Sequence, residues 1–239
     1  MITAFELTLL RSEELLTKSK QIPVNSKLHL PDKPNIYPNL ELAKVLNDRE
    51  LAITFSVQNH YHGGKFELIL EDLKKYLDLI NAQKNITELL IVSGSNNRKI
   101  NTLDILNYLT KYKIKSQTNT DFIISVAYNC NSIDQIEENQ RLVQKLKFNI
   151  VNKVYIQITD NIEKIIAGIE YIRSLNSKTI ICVCVFEPTA SSLAKFRFRP
   201  WRGVNLSEEF LSNFQVSKRI NQENIQKLRS YGVEIILTF

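Results

Sequence analysis

Apolar positions recur along this chain with two periods that take turns. Ile2–Leu10, rich in branched and aromatic residues, predicts a first strand, and Ser12–Lys20, with leucines at helical spacing, predicts a helix. Lys27–Leu30 predicts a short second strand in a loop carrying Pro23, Pro31, Pro34 and Pro38, and Leu40–Asn47 a short amphipathic helix. Strand Leu51–Gln58 is followed by helix Phe66–Ile80. Strand Glu88–Ser93 is followed by helix Thr102–Tyr112, opened by a cap signal at Asn101/Thr102. Strand Asp121–Tyr128 precedes helix Ser132–Lys147, and strand Lys153–Thr159 precedes helix Ile162–Leu175. Strand Thr179–Phe186 leads to helical segments at Leu206–Phe214 and Asn221–Tyr231. Gly232 fits a left-handed helix cap, and Val233–Leu237 an eighth strand.

Strand and helix in alternation predict an α/β fold, a (β/α)8 barrel spanning residues 1–239 as one domain, with a doubly wound open sheet as the alternative. The strand faces favour the barrel. In the first strand Ile2, Ala4, Glu6 and Thr8 alternate with bulky Phe5, Leu7 and Leu9; in the third, Thr54, Ser56 and Gln58 alternate with Ile53, Phe55 and Val57. Bulky residues packing outward on helices and mixed ones facing a lumen produce this pattern, whereas a sheet buried on both faces is continuously apolar. With no helix after the eighth strand, the outer face of strands eight and one is expected to need cover from another segment or from a partner chain, making it a candidate oligomer face.

Composition narrows the chemistry. Hydrophobic residues at 44% and charged residues at 23% are ordinary globular values. The longest apolar run, Ile180–Phe186, is far short of the roughly 18 residues of a membrane helix. Glu6 breaks an N-terminal stretch that has no basic flank, so a cytoplasmic protein without a secretory signal is expected. The six glycines fit neither GxGxxG nor GxxxxGK[ST], so no phosphate cradle of either kind is visible. Cys130, Cys182 and Cys184 form no CxxC pair and read as buried apolar residues of a reducing compartment. The net charge of +6 (31 basic against 25 acidic residues) is spread along the chain. Its densest patch, Lys195–Arg202, reads as a basic loop anchored by its aromatics, with single-strand nucleic-acid binding as the minority reading.

In a barrel the chemistry gathers at the C-terminal ends of the strands. These are Glu6, the Gln58–His62 stretch, Ser93 and Ser95, Tyr128 and Asn129, Gln157, Asp160, Glu187 and Thr238. Glu6, a carboxylate on an apolar strand, reads equally as a buried general acid or as a carboxylate paired with a lysine inside the barrel. Gln157 can donate and accept at once, which suits the edge of an amide-like heterocycle, or it satisfies loop backbone. His60-Tyr61-His62 lacks a third metal ligand at a recognised spacing. It reads as a loop freed by Gly63 and Gly64, with His60 facing the site and no metal expected.

Several short segments, in order over most of the chain, resemble the methylenetetrahydrofolate reductase family, flavin-dependent (β/α)8 barrels of one-carbon metabolism. They are Ala4-Phe5-Glu6, Leu90–Ser95 with Asp104-Ile105 after it, Ile124–Tyr128, Tyr155-Ile156-Gln157 with Asp160, and Val185–Thr189. The resemblance implies an oxidoreductase that reduces a methylene-folate to a methyl-folate with NAD(P)H. Glu6 would be its general acid and Gln157 would position the ring. Gln58, His60, Ser95, Tyr128 and Asp160 would then lie around the cofactor. The departures fall on the family's flavin positions: Gly94-Ser95 replaces Gly-Asp, prolines after Glu6 and Tyr128 are missing, and Ser192 stands near the family's loop phenylalanine. They set FAD in question and leave two alternatives, direct hydride transfer from NAD(P)H or a folate-binding barrel repurposed as a binding module or subunit.

Overall fold

The computed structural model describes residues 2–6, 17, 19–23, 25–32, 39–93, 100–112, 122–201 and 203–238. Parallel strands β1 (Ile2–Glu6), β2 (Lys27–Leu30), β3 (Leu51–Ser56), β4 (Ile86–Val92), β5 (Ile123–Tyr128), β6 (Val151–Ile156), β7 (Ile180–Phe186) and β8 (Glu234–Thr238) pair in chain order. β8 closes on β1, with Phe5 opposite Leu237 and Glu6 opposite Thr238, so the fold is the barrel and not the open sheet. Helices α1 (Asn39–Val45), α2 (Phe66–Ala82), α3 (Thr102–Lys111), α4 (Gln135–Leu146), α5 (Ile162–Leu175) and α8 (Phe214–Ser230) run between strands. Asn101 caps α3 in a capping box with Asp104, and Gly232 takes the left-handed conformation after α8 (φ 59°).

Between β7 and α8 the chain forms two extra helices, α6 (Ala190–Phe198) and α7 (Glu208–Ser212). Helix α6 corrects the expectation of a loop at Lys195–Arg202. Basic and aromatic residues alternate there with a period of two, which hides helical periodicity, but Thr189 and Ser192 form a capping box that starts the turn. The aromatics do anchor the segment: Phe196 is buried and Trp201 half-buried. Of the expected helix at Ser12–Lys20, residues 17, 19 and 20 are described, and they are helical.

Alternation along the strands sorts side chains into two cores. Outward residues such as Ile53, Phe55, Ile91, Val126 and Val154 pack under the helices. On β8, Ile235 and Leu237 belong to this outer core and are buried within the chain, so this face of the strand is not bare.

Inward residues fill the barrel in layers drawn from alternate strands. The lowest layer is ionic: Lys27 on β2, Glu88 on β4, Lys153 on β6 and Glu234 on β8 meet in alternating charge. Lys27 Nζ lies 3.3 Å from Glu88 Oε2. Lys153 Nζ lies 3.1 Å from that same oxygen and 2.6 Å from Glu234 Oε2. Glu50 adds a more exposed partner for Lys27 at 2.9 Å. Isolated burial of such ions costs several kcal/mol each, so the layer is tolerable only because its charges face one another. Burial opposes ionisation of Glu88, but Lys153 and Lys27 outweigh it and hold its carboxyl below the usual glutamate range. Burial likewise opposes the charge on Lys153, and the carboxylates of Glu88 and Glu234 outweigh it and hold the ammonium above the usual lysine value. Above this layer His29, Leu90, Tyr155 and Ile236 fill the interior, flanked by small Ala4, Ala52, Ser125 and Cys182.

Lys153→Met leaves Glu88 buried with one partner fewer and is expected to cost about 3–5 kcal/mol in urea unfolding. Adding Glu88→Leu is expected to recover most of that loss; a double variant as unstable as the single one would show that the layer works through packing instead. The acid limb follows from the same pair. Glu88 has a lower pKa folded than unfolded, so its contribution is present above the ordinary glutamate value and disappears as pH falls through the lowered folded value. Thermal melts across that acid range are expected to show a shallower loss of stability in Glu88→Gln than in the wild-type protein.

Candidate functional site

The inward positions at the C-terminal ends of the strands form the mouth of the barrel. Glu6 ends β1, and its Oε2 lies 3.4 Å from Nδ1 of His29 on β2. The other imidazole nitrogen of His29 sits 2.7 Å from the Thr54 hydroxyl of β3. Its ring is 5.4 Å from that of Tyr155 on β6. Thus Glu6 is paired with a buried histidine; the lysines inside the barrel serve Glu88 and Glu234 instead. Glu6 opposes Thr238 in register, and the Thr238 hydroxyl is buried without a hydrogen-bond partner among the described residues. Gln157 follows Tyr155 on the lumen side of β6. Its backbone N–H donates to the carbonyl of Tyr128 at 2.9 Å, and its half-buried amide lies beside Gly203, where an added Cβ would meet Nε2 at 3.4 Å.

The β7–α8 segment lies against this end of the barrel. Phe186, inward at the end of β7, packs against Phe196, Trp201 and Phe210 at centroid distances of 6.0, 5.4 and 6.3 Å. Polar bridges bind the segment to the neighbouring loops: Asn129 Nδ2 donates to Gly203 O at 3.0 Å, and Asn205 Nδ2 donates to Asn131 O at 3.2 Å. Asp160 accepts from the Ser207 N–H at 3.0 Å and from the Ser207 hydroxyl, and its carbonyl accepts from Asn224 at 2.9 Å. Its carboxylate therefore braces the cap of α7.

Not all of the sequence candidates converge. Glu6, Gln157 and Thr238 face the mouth, and Gln58 is half-buried just past β3. Ser95 lies outside the described residues. Ser93 braces the start of α3, accepting from the Thr102 N–H at 3.0 Å. Tyr128 points to the helix side of β5, because it follows outward-facing Ile124 and Val126 at a spacing of two. Its hydroxyl donates to Asn139 at 2.7 Å and accepts from Gln135 at 2.9 Å. Burial, then the neighbouring ionisable groups, raises its pKa. It lines an outer cavity of about 370 Å³ with Cys130, Gln135, Asn139, Lys164 and Tyr171. Burial pushes the Cys130 thiol up to about 12, so it is not a reactive thiolate.

His60 also leaves the lumen. Its ring stacks on outward-facing Phe55 at 4.6 Å and meets the edge of Tyr76 on α2 at 5.8 Å. Nε2 lies 3.0 Å from Asp32 and Nδ1 lies 2.9 Å from Asp72. Burial lowers the pKa of His60, but the two carboxylates outweigh it and raise the value overall. His29, Thr54 and Tyr155 are the site neighbours that strand-end reasoning passed over. Their signal was present, since each is a polar residue at an inward position of a strand.

No protein-family model matches the chain, and no curated protein matches it. Among solved structures, a protein from Clostridium thermocellum described as binding two copies of 5-methyl-5,6,7,8-tetrahydrofolic acid superposes with a TM-score of 0.65 at 13% identity. That match covers 99% of this chain and 88% of the other. A candidate alpha-L-fucosidase from Bacteroides thetaiotaomicron superposes with a TM-score of 0.50 at 14% identity, covering 99% and 72% of the two chains. No helix among the described residues is long and apolar enough to cross a membrane. At these identities the likeness is one of fold, and the fold is the (β/α)8 barrel.

Proposed function

We propose that the mouth of the barrel binds a reduced folate, and that the protein reduces a methylene-folate to a methyl-folate with NAD(P)H as hydride donor. The observation that carries the reading is the convergence of three kinds of polar group there: the Glu6 carboxyl beside His29, the Thr238 hydroxyl without a hydrogen-bond partner among the described residues, and the Gln157 amide. A pterin edge presents donors and acceptors side by side, which an amide and a hydroxyl match. The folate bound by the Clostridium thermocellum barrel supports the same ligand class.

In this reaction Glu6, protonated, gives its proton to N10 of the folate. The bond from N10 to the bridging methylene breaks and leaves an iminium on N5. NAD(P)H, as second substrate, would supply the hydride that turns the methylene carbon into a methyl group, while Gln157 holds the ring. His29, its own ring held by the contact with Thr54, stands behind the Glu6 carboxyl at 3.4 Å. FAD has no part in the proposal, because His60, Tyr128 and Asp160 do not fit it. Two are turned to the helix side and the third braces α7. That same commitment favours a second reading, a folate-binding module without turnover.

Calorimetric titration with 5-methyltetrahydrofolate and an NADH- or NADPH-dependent reduction assay separate these readings. Glu6→Gln is expected to leave folate affinity within about threefold and to lower turnover by about 100-fold or more, the contribution of a positioned general acid. Unchanged turnover in that variant would remove Glu6 from the acid role. Binding without turnover in the wild-type protein would establish the module, and absence of folate binding would overturn both.

A further inference from the structure

We propose that His60, His62 and Asp72 form a site for a late first-row divalent metal ion, zinc by its donor set, at the rim between β3 and α2. The ligand atoms are His60 Nδ1, His62 Nε2 and Asp72 Oδ2, with a fourth position open to water beside exposed His62.

The three atoms already cluster. Potential ligand atoms of these residues all lie within 4.8 Å of one another. Both imidazoles converge on the same oxygen, Asp72 Oδ2, at 2.9 Å from His60 and 2.6 Å from His62. Ligands about 2.0–2.1 Å from a tetrahedral zinc stand about 3.3 Å apart, so each histidine contact with Asp72 must lengthen by roughly half an ångström. His62 has room to move outward, since its side chain is 42% exposed. Lys75 holds the other Asp72 oxygen, Oδ1, at 2.6 Å and leaves Oδ2 toward the histidines. Two imidazoles and one carboxylate suit zinc better than magnesium or calcium, which favour all-oxygen shells.

Two further features separate this cluster from a chance surface contact. First, the support of His60 has the form found behind metal-bound histidines. Its Nε2 faces buried Asp32 at 3.0 Å, and Asp32 Oδ2 is itself fixed by the Ser56 N–H at 2.8 Å. Phe55 and Tyr76 lock the ring from a face and an edge. Second, the backbone is curled to bring His62 back. His62 takes a left-handed conformation (φ 43°), and Gly63 and Gly64 continue with φ 69° and 86°. A residue other than glycine is uncommon in that region, and here the turn sets the His62 imidazole against Asp72. The sequence shows only HxH; the third ligand comes from α2, ten residues beyond His62.

Untagged protein dialysed against zinc and analysed for bound metal is expected to carry one zinc per chain. Cobalt(II) is expected to give the intense visible bands of a tetrahedral centre. His62→Ala, at an exposed position, is expected to lose that stoichiometric zinc while keeping the wild-type thermal melt. Asp32→Asn is expected to keep the site but weaken it about 10–100-fold, as loss of a supporting carboxylate does. A wild-type protein that binds no zinc, or a His62→Ala variant that binds it undiminished, would overturn the proposal.

Discussion

A ring of opposite charges at the floor of the barrel sets the conditions for everything above it. Lys27, Glu88, Lys153 and Glu234 come from alternate strands and sum to zero net charge, so each ion finds its counter-ion across the lumen. Because a strand repeats every two residues, slipping one of these strands by a single residue would drive an ion into the apolar layer beneath the helices. The floor thus enforces register around the closed sheet, at the desolvation cost that any buried ion pair carries. It also frees the rest of the interior for polar groups, since His29, Thr54 and Tyr155 stack above it toward the mouth.

Among the described residues, the end of the barrel that carries the strand termini is braced on one side and lined with inward polar groups on the other. On the β5–β7 side, asparagine bridges, the Asp160–Ser207 clasp and the Phe186 aromatic cluster bind the loops to the β7–α8 segment. On the β1–β2 side the polar groups point inward, and Glu6 and His29 form their centre. Residues spent on bracing are not available to hold a ligand, so the same barrel can carry different chemistry at its strand ends.

The barrel was legible in the sequence because alternation and helical spacing are strong over most elements; α5, for example, runs from Ile162 to Leu175 as its periodicity predicts. Thr54 and Ser56 against Ile53 and Phe55 gave the direction of curvature, and the lumen-facing set follows from it. Less legible was which side a residue takes once its strand ends. Tyr128 still obeys the alternation and so turns to the helices, but its place at the end of β5 and in a segment resembling the family made it look like a site residue. Helix α6 escaped because its start is set by a Thr189–Ser192 cap rather than by a hydrophobic face. The charged floor escaped for a different reason: Glu88 and Lys153 are single charges in apolar strands, and only the barrel's closure brings them together.

The claim on which the functional account rests is that the inward polar groups of β1, β6 and β8 bind the ligand. Backbone-amide NMR of the protein titrated with 5-methyltetrahydrofolate measures this directly. The expected result is shifts concentrated at Glu6, Gln157 and Thr238 and in the residues beside them. Shifts confined to the outer cavity around Tyr128 and Lys164, or no shifts at saturating ligand, would contradict it.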